Sequence, residues 1–431
     1  MFIRAALCVL LCLATACSGS DSSSSPPGQQ PPSSNPTGPW PLTDLNIYNS
    51  AQGLNGTIID ASPDDAQNIW AVTPDALYVL RPGQTAFTRF TSAEGLHVQT
   101  FTDPATGRQT VTDITAMAGG GANEVFVGYR GYEETIPPPA PPPCCAPNAD
   151  FSDPRWHLGQ ADKVVLNSDG TIQVRRYEFL CDVTTNCWEE RSTRRMIFGH
   201  SGPAAGHLFI GFDHGLVHVF NDTWGDHTHV QTTWHFDDGR EIQRMGNQYG
   251  LALFPNGDVL SAGAYGVGTQ PWNPDPKAWV NGLFVWGLTT FGPAEPYNQG
   301  EHDLVVPDGY REDNRGAAVT PDGTAWWVSP RTGLSSYNHG VAQFNFSLIR
   351  HYDTVPGLPA SGLMDIAADP DGTLWIVDGS GRLLRFNPTA LTVQVWPGVS
   401  SVRRVVMDTT VTPRALYVAM GNQGLAVIRA Q

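Results

Sequence analysis

Ala367–Phe386 reads AADPDGTLWIVDGSGRLLRF. A polar turn leads into an apolar strand that carries a tryptophan. A Gly-containing turn follows, and a second apolar strand completes the unit. Versions of this phrase recur along the chain. The aromatic strand returns as Asn68–Val72, Val125–Gly128, Leu208–Gly211, Ala325–Val328 and Leu416–Ala419, and once without its aromatic as Val259–Ala262. Seven or eight residues after most copies comes a strand opened by Gly, as in Gly215–Val219, Gly333–Tyr337 and Gly424–Ile428.

A spacing of about 40–50 residues is the period of propeller blades. One such unit cannot cover both faces of its own sheet. Stacked radially, neighbours cover each other and only short edges stay exposed. Trp, Phe and Tyr suit the contact because each buries a large flat area. Gly and Asp-Gly turns fit tight hairpins between short strands.

A second repeat marks the outer edge of a blade. It occurs as Phe90–Leu96 and Tyr352–Leu358, and once before any blade has begun, as Tyr48–Leu54. The last blade, from Val402 to Ala430, has room for three strands. Leu45–Ser50 therefore supplies its fourth, and the two chain ends close the ring. The reading is an all-β, seven-bladed β-propeller closed by an N-terminal strand.

These residues resemble the two-component-regulator type of propeller repeat, whose blades carry a DGxLWIG core and a YxxxxGL tail. Asp371–Val377 carries the first pattern and Tyr352–Leu358 the second. Blade six is also similar to blades of streptogramin-lyase-like propellers. The resemblance spans residues 42–431 and implies the fold. It leaves function open, because such blades serve sensors, enzymes and scaffolds.

Residues 1–16 read as an export signal: Arg4, then the apolar run Ala5–Leu13, too short to span a membrane. Ala14-Thr15-Ala16-Cys17 resembles a bacterial lipobox, which makes Cys17 the expected lipidation site. An ordinary signal peptide is the alternative. Ser18 after the cysteine resembles signals sent on to an outer membrane. The expected location is the outer membrane or cell surface, with a periplasmic or secreted protein as the other case. Residues 17–41 form a Ser/Pro-rich tract with too little apolar content to offset chain entropy, hence a lipid-anchored tether. The propeller occupies 42–431.

Long connections are the main functional clue, since loops on a rigid scaffold carry binding. In a propeller, strands a to d run outward from the central channel. Tyr129–Ala161 and Tyr265–Val280 are read as b–c loops of blades two and four. Cys181–Thr193 and Phe291–Asn314 are read as d–a connections into blades three and five. All four then belong to one face. Trp156, Trp272 and Trp279 fit an aromatic rim there, or pack these loops down. Four cysteines, Cys144, Cys145, Cys181 and Cys187, read as two disulfides in an exported domain. Their pairing is open: two bridges between the loops, or a Cys181–Cys187 bridge with a vicinal one. A four-thiolate zinc site is the minor reading, because paired CxxC spacing is lacking.

The formal net charge is −16, which argues against nucleic acid as a partner. Arg194, Arg195, Arg244, Arg315, Arg403 and Arg404 fall where strands a begin. They form either a basic funnel for an anionic ligand or structural pairs with Asp60, Asp113, Asp313, Asp365 or Asp408. Seven histidines fall between His200 and His235 without a metal-binding pattern. Asp169-Gly170, Asp322-Gly323 and Asp371-Gly372 read as hairpin turns rather than calcium loops. No nucleophile, phosphate-binding or cofactor motif is present, and no signalling segment follows the propeller. The sequence therefore points to a tethered monomeric binding module for a glycan or protein, met on the loop-rich face. A lyase or hydrolase at the channel mouth, or a structural envelope scaffold, are the rival readings.

Overall fold

The computed structural model describes Trp40 and residues 45–102, 107, 109–131, 161–177, 179, 192–212, 215–225, 232–236, 241–244, 247–264, 266–278, 290–291, 313–338 and 348–431. Antiparallel sheets follow one another along the chain, and each forms one blade. Blade one is Asp60–Pro63, Ile69–Thr73, Ala76–Leu80 and Thr88–Phe90. Blade two is Ile114–Gly119, Glu124–Tyr129, Ala161–Leu166 and Ile172–Tyr177. Blade three is Arg195–Phe198, His207–Gly211, Leu216–Phe220 and Thr223–Trp224. Blade four is Gln248–Leu253, Val259–Gly263 and Gly266–Gln270. Blade five is Gly316–Val319, Thr324–Ser329, Gly333–Asn338 and Arg350–His351. Blade six is Leu363–Ala368, Leu374–Asp378, Leu383–Asn387 and Thr392–Val395. Blade seven is Arg404–Asp408, Ala415–Ala419, Leu425–Arg429 and, from the other end of the chain, Leu45–Tyr48.

Strand a of each blade touches strand a of the next, and that of blade seven touches blade one. The ring is complete. Its last joint is the antiparallel pairing of Leu45–Tyr48 with Leu425–Ile428, as the repeated Tyr48–Leu54 phrase implies. The compact unit also takes in Trp40, buried against Trp375 and under the Arg414 guanidinium.

The apolar cores lie between blades. Trp70, Val72 and Leu77 of blade one meet Met117, Val125 and Val127 of blade two. Tyr417 and Val427 of blade seven meet Ala71 and Tyr78 of blade one. Trp70 and Trp375 are fully buried, each removing a large area from water. The Asp-Gly turns act as hairpin closures. Asp371 Oδ1 accepts from the Thr373 amide and hydroxyl, and Asp169–Thr171 and Asp322–Thr324 repeat the arrangement.

The outer-edge phrase folds into a single helical turn. Asn49 and Thr91 each cap one, answered by Gln52 and Glu94, and each turn ends on a left-handed glycine, Gly53 or Gly95. Leu54 and Leu96 then drop into the cores. Two small sheets lie outside the blades: a hairpin of Thr100–Thr102 with Gln109–Val111, and a sheet of Thr232–Phe236, Glu241–Arg244 and Thr290–Phe291.

Candidate functional site

Strand direction sorts the connections. The d–a and b–c connections fall on one face, called here the loop face. The a–b and c–d turns fall on the other, the turn face. The stretches 132–160 and 180–191 leave and rejoin the sheets on the loop face, and the chain returns there at Asp313 before blade five. The stretch after Tyr265 behaves otherwise. Gly266–Gln270 follows Val259–Gly263 at once as strand c, so the chain leaves blade four on the turn face. Its strand lacks an aromatic, which is why the b–c assignment of Tyr265–Val280 fails. Trp272 accordingly lies over the a–b turn of blade four. A Cβ on Gly257, at φ +92°, would come within 2.9 Å of its ring. The ring also packs on His207, Phe209 and His218. Trp156, Trp279, Cys17, Cys144, Cys145, Cys181 and Cys187 lie outside the described residues.

The arginines divide into groups. Arg244 ends a strand of the extra sheet, ahead of strand a of blade four. The Arg194 and Arg315 guanidinium groups both lie over the Tyr249 ring, at 5.9 and 4.0 Å from its centroid, and Arg315 is 3.7 Å from Asp313. Arg403 is exposed. Arg195 and Arg404 are inside the ring. Arg195 Nη1 reaches Asp365 Oδ1 at 3.1 Å, joining blade three to blade six across the channel. Arg404 Nη1 reaches Asp60 Oδ2 at 2.9 Å, joining blade seven to blade one. Asp365 Oδ2 also accepts the Val405 amide. Gly316 makes room for it, since a Cβ there would stand 3.0 Å from Asp365 Oδ1. Two carboxylates and two guanidinium groups thus form a neutral cluster at the start of the channel. Burial raises the Asp60 carboxyl against the pull of Arg404 and Arg195, and lowers Arg195.

Below this cluster the channel widens into a cavity of about 600 Å³, bounded at one end by Asp60 and Arg195 and open among the a–b turns. Strand a of every blade contributes to its wall. Its lining includes the half-buried apolar residues Ile197, Leu253, Val319, Val406 and Met407, which also pack on the cores between blades.

The mouth is polar. His200 Nδ1 lies 2.7 Å from Asp65 Oδ1, linking blades three and one. Asp64 accepts from Trp70 Nε1 and Asn68, and Thr320 accepts from Trp326 Nε1. Asp369 accepts from Arg414 and from Trp40 Nε1. Asp408 is different. Its Oδ1 accepts from the Thr410 amide and hydroxyl. Its Oδ2, though buried, meets no donor among the described residues. Asp408 was read in the sequence only as a partner for arginine, and its open oxygen had no sequence signal.

Two further clusters lie off the channel. Asp162, fully buried, accepts from Tyr129 and holds His97 Nδ1 at 2.7 Å. Burial and Asp162 push the Tyr129 hydroxyl well up. His207 Nδ1 and His218 Nε2 stand 2.6 Å apart between Phe220, Phe209 and Trp272.

The chain is a seven-bladed β-propeller. It matches no protein-family model and no curated protein. Among solved structures it is similar to YCF48 bound to D1 peptide, at 13% identity over 91% of this chain and 95% of that one, TM-score 0.49. It is similar to the WD40 β-propeller domain of Doa1, at 11% identity over 90% and 98%, TM-score 0.47. It is similar also to selenomethionine-substituted virginiamycin B lyase from Staphylococcus aureus, at 10% identity over 90% and 99%, TM-score 0.49.

Proposed function

We propose that this propeller is a binding module that meets a protein or glycan on its loop face, held at the bacterial envelope by a lipid on Cys17. The observation that supports it is the neutral cluster of Asp60, Arg195, Asp365 and Arg404. It occupies the centre of the loop face with charges already satisfied by one another. A partner on that face is then read by the surrounding connections rather than by the channel. Three carboxylates at the channel are engaged: Asp60 and Asp365 by arginine, Asp369 by Arg414 and Trp40. A general acid or base needs a group free to exchange its proton with substrate, which these three are not.

The test replaces 133–159 by a short Gly/Ser linker and compares both full chains on an oligosaccharide array and in cross-linking from a photoreactive residue at position 403. Loss of a glycan or protein contact with an unchanged melting temperature supports the reading. Identical contacts in both chains, or none in either, count against it. Metabolic labelling with a radioactive fatty acid, lost in Cys17→Ser, tests the anchor separately.

A further inference from the structure

We infer that Trp40 is a latch on the joint that closes the ring: its indole sits in a socket between blades six and seven, and the N-terminal strand comes away only when the indole leaves. The joint is slight without it. Leu45–Tyr48 is four residues long and stands at the edge of its sheet, paired with Leu425–Ile428. Asn46 and Ile47 are exposed, while Leu45 and Tyr48 are half-buried. A short strand at a chain end frays unless it is tied down. One end is tied by Tyr48, packed edge-on against Phe87 at 5.7 Å, and by the capped turn at Asn49. At the other end Leu45 rests on the core between blades six and seven, and Trp40 enters that same core.

The socket fits an indole by shape and by chemistry. Trp40 is 5% exposed, and its ring meets Trp375 edge-on at 5.2 Å. Its Nε1 donates to Asp369 Oδ2 at 2.5 Å. The Arg414 guanidinium lies 4.9 Å from the ring centroid, a cation–π contact. Asp369 stands in the a–b turn of blade six and Arg414 in that of blade seven, and Arg414 Nε donates to Asp369 Oδ1 at 2.7 Å. Both are buried, so this ion pair ties the two blades and the indole completes and covers it. When the indole leaves, a buried carboxylate oxygen loses its nearest donor, which costs free energy. Water then reaches the pair and weakens its attraction. Trp40 thus couples the strand that completes blade seven to the contact between blades six and seven.

The latch is separate from the loop-face reading, so either can fail alone. The test reads hydrogen exchange by mass spectrometry on the purified full chain. In Trp40→Gly the amides of Leu45–Tyr48 exchange about tenfold faster than in wild type, or more, while Glu124–Tyr129 in blade two keeps its rate. 3-Methylindole is the side chain this variant lacks. Adding it slows the joint again by about threefold or more, and 3-methylbenzothiophene, of similar shape with sulfur in place of N–H, restores less. Trp40→Phe keeps an aromatic ring and loses the N–H donor, and it carries the test should Trp40→Gly unfold. Its joint exchanges at an intermediate rate, and a wild-type rate there counts against the latch. The inference is overturned if the joint in Trp40→Gly exchanges as in wild type, if blade two speeds up as much as the joint, or if 3-methylindole slows nothing or does no better than its sulfur analogue.

Discussion

The two ends of the central channel are built from the same residue types and do opposite things. At the loop face, Asp60 and Asp365 meet Arg195 and Arg404, every charge has a partner, and the channel stops. At the turn face the channel is accessible, and Asp408 keeps one buried oxygen that meets no donor among the described residues. An arginine or aspartate at the end of a strand a is therefore not a binding residue by virtue of its position. The balance across the ring decides whether its charge is matched internally.

The strongest way to break this contrast is at the closed end. Arg195→Met removes the guanidinium that bonds the buried Asp365, leaving only Arg404 nearby, and should cost about 3–5 kcal/mol in denaturant unfolding. Adding Asp365→Asn should recover a large part of that loss. A single variant as stable as wild type would mean the cluster is not a structural plug.

Acid should act next most strongly, and on neutral groups. Burial and the neighbouring His207 push His218 down to about 3. The folded protein resists a proton that the unfolded chain accepts near its ordinary value. This contribution is therefore whole above about pH 6.5 and is lost as pH falls toward 3. Between pH 7 and pH 5 the loss should be about 2 kcal/mol. Urea midpoints at the two pH values measure it, and His218→Gln should flatten the difference. An unchanged wild-type midpoint would show that the pair is already protonated or absent.

Thr320→Val removes the acceptor of Trp326 Nε1 in an a–b turn, for a cost of about 1–3 kcal/mol by thermal unfolding. It sharpens the contrast because this polar group at the open end is one of those serving the fold. Asp408→Asn should do least. It neutralises an oxygen without a donor and keeps the Thr410 bonds, so stability should hold or rise by under about 1 kcal/mol. A fall comparable to that of Arg195→Met would show that the carboxylate charge of Asp408 serves the fold.

The sequence carried the ring well, because local physics wrote it. Each strand b needs a large residue to fill the gap between blades, so Trp70, Phe209, Trp327 and Trp375 announce their blades. The capped turns at Asn49 and Thr91 repeat because the outer strands end alike, and this exposed the closing strand. Blade four was partly missed, since Gly266–Gln270 offers neither an aromatic nor a separating loop. The arginines and aspartates of the channel were recognisable as types. Their pairing was not, because Arg195 finds Asp365 across the assembled ring, 170 residues away. The open oxygen of Asp408 depends on which donors arrive from other turns, information that no local pattern holds.

The bond between Arg195 and Asp365 also works as a census. Blades three and six stand as far apart as two blades in a ring of seven can. Their side chains meet only when the intervening blades and the closing strand have set the ring's circumference. A ring missing a blade, or one that takes an extra blade from another molecule, changes that span and strands two buried charges. The strut thus rewards one blade number over its neighbours, and it does so late in assembly, when long-range contacts finally form.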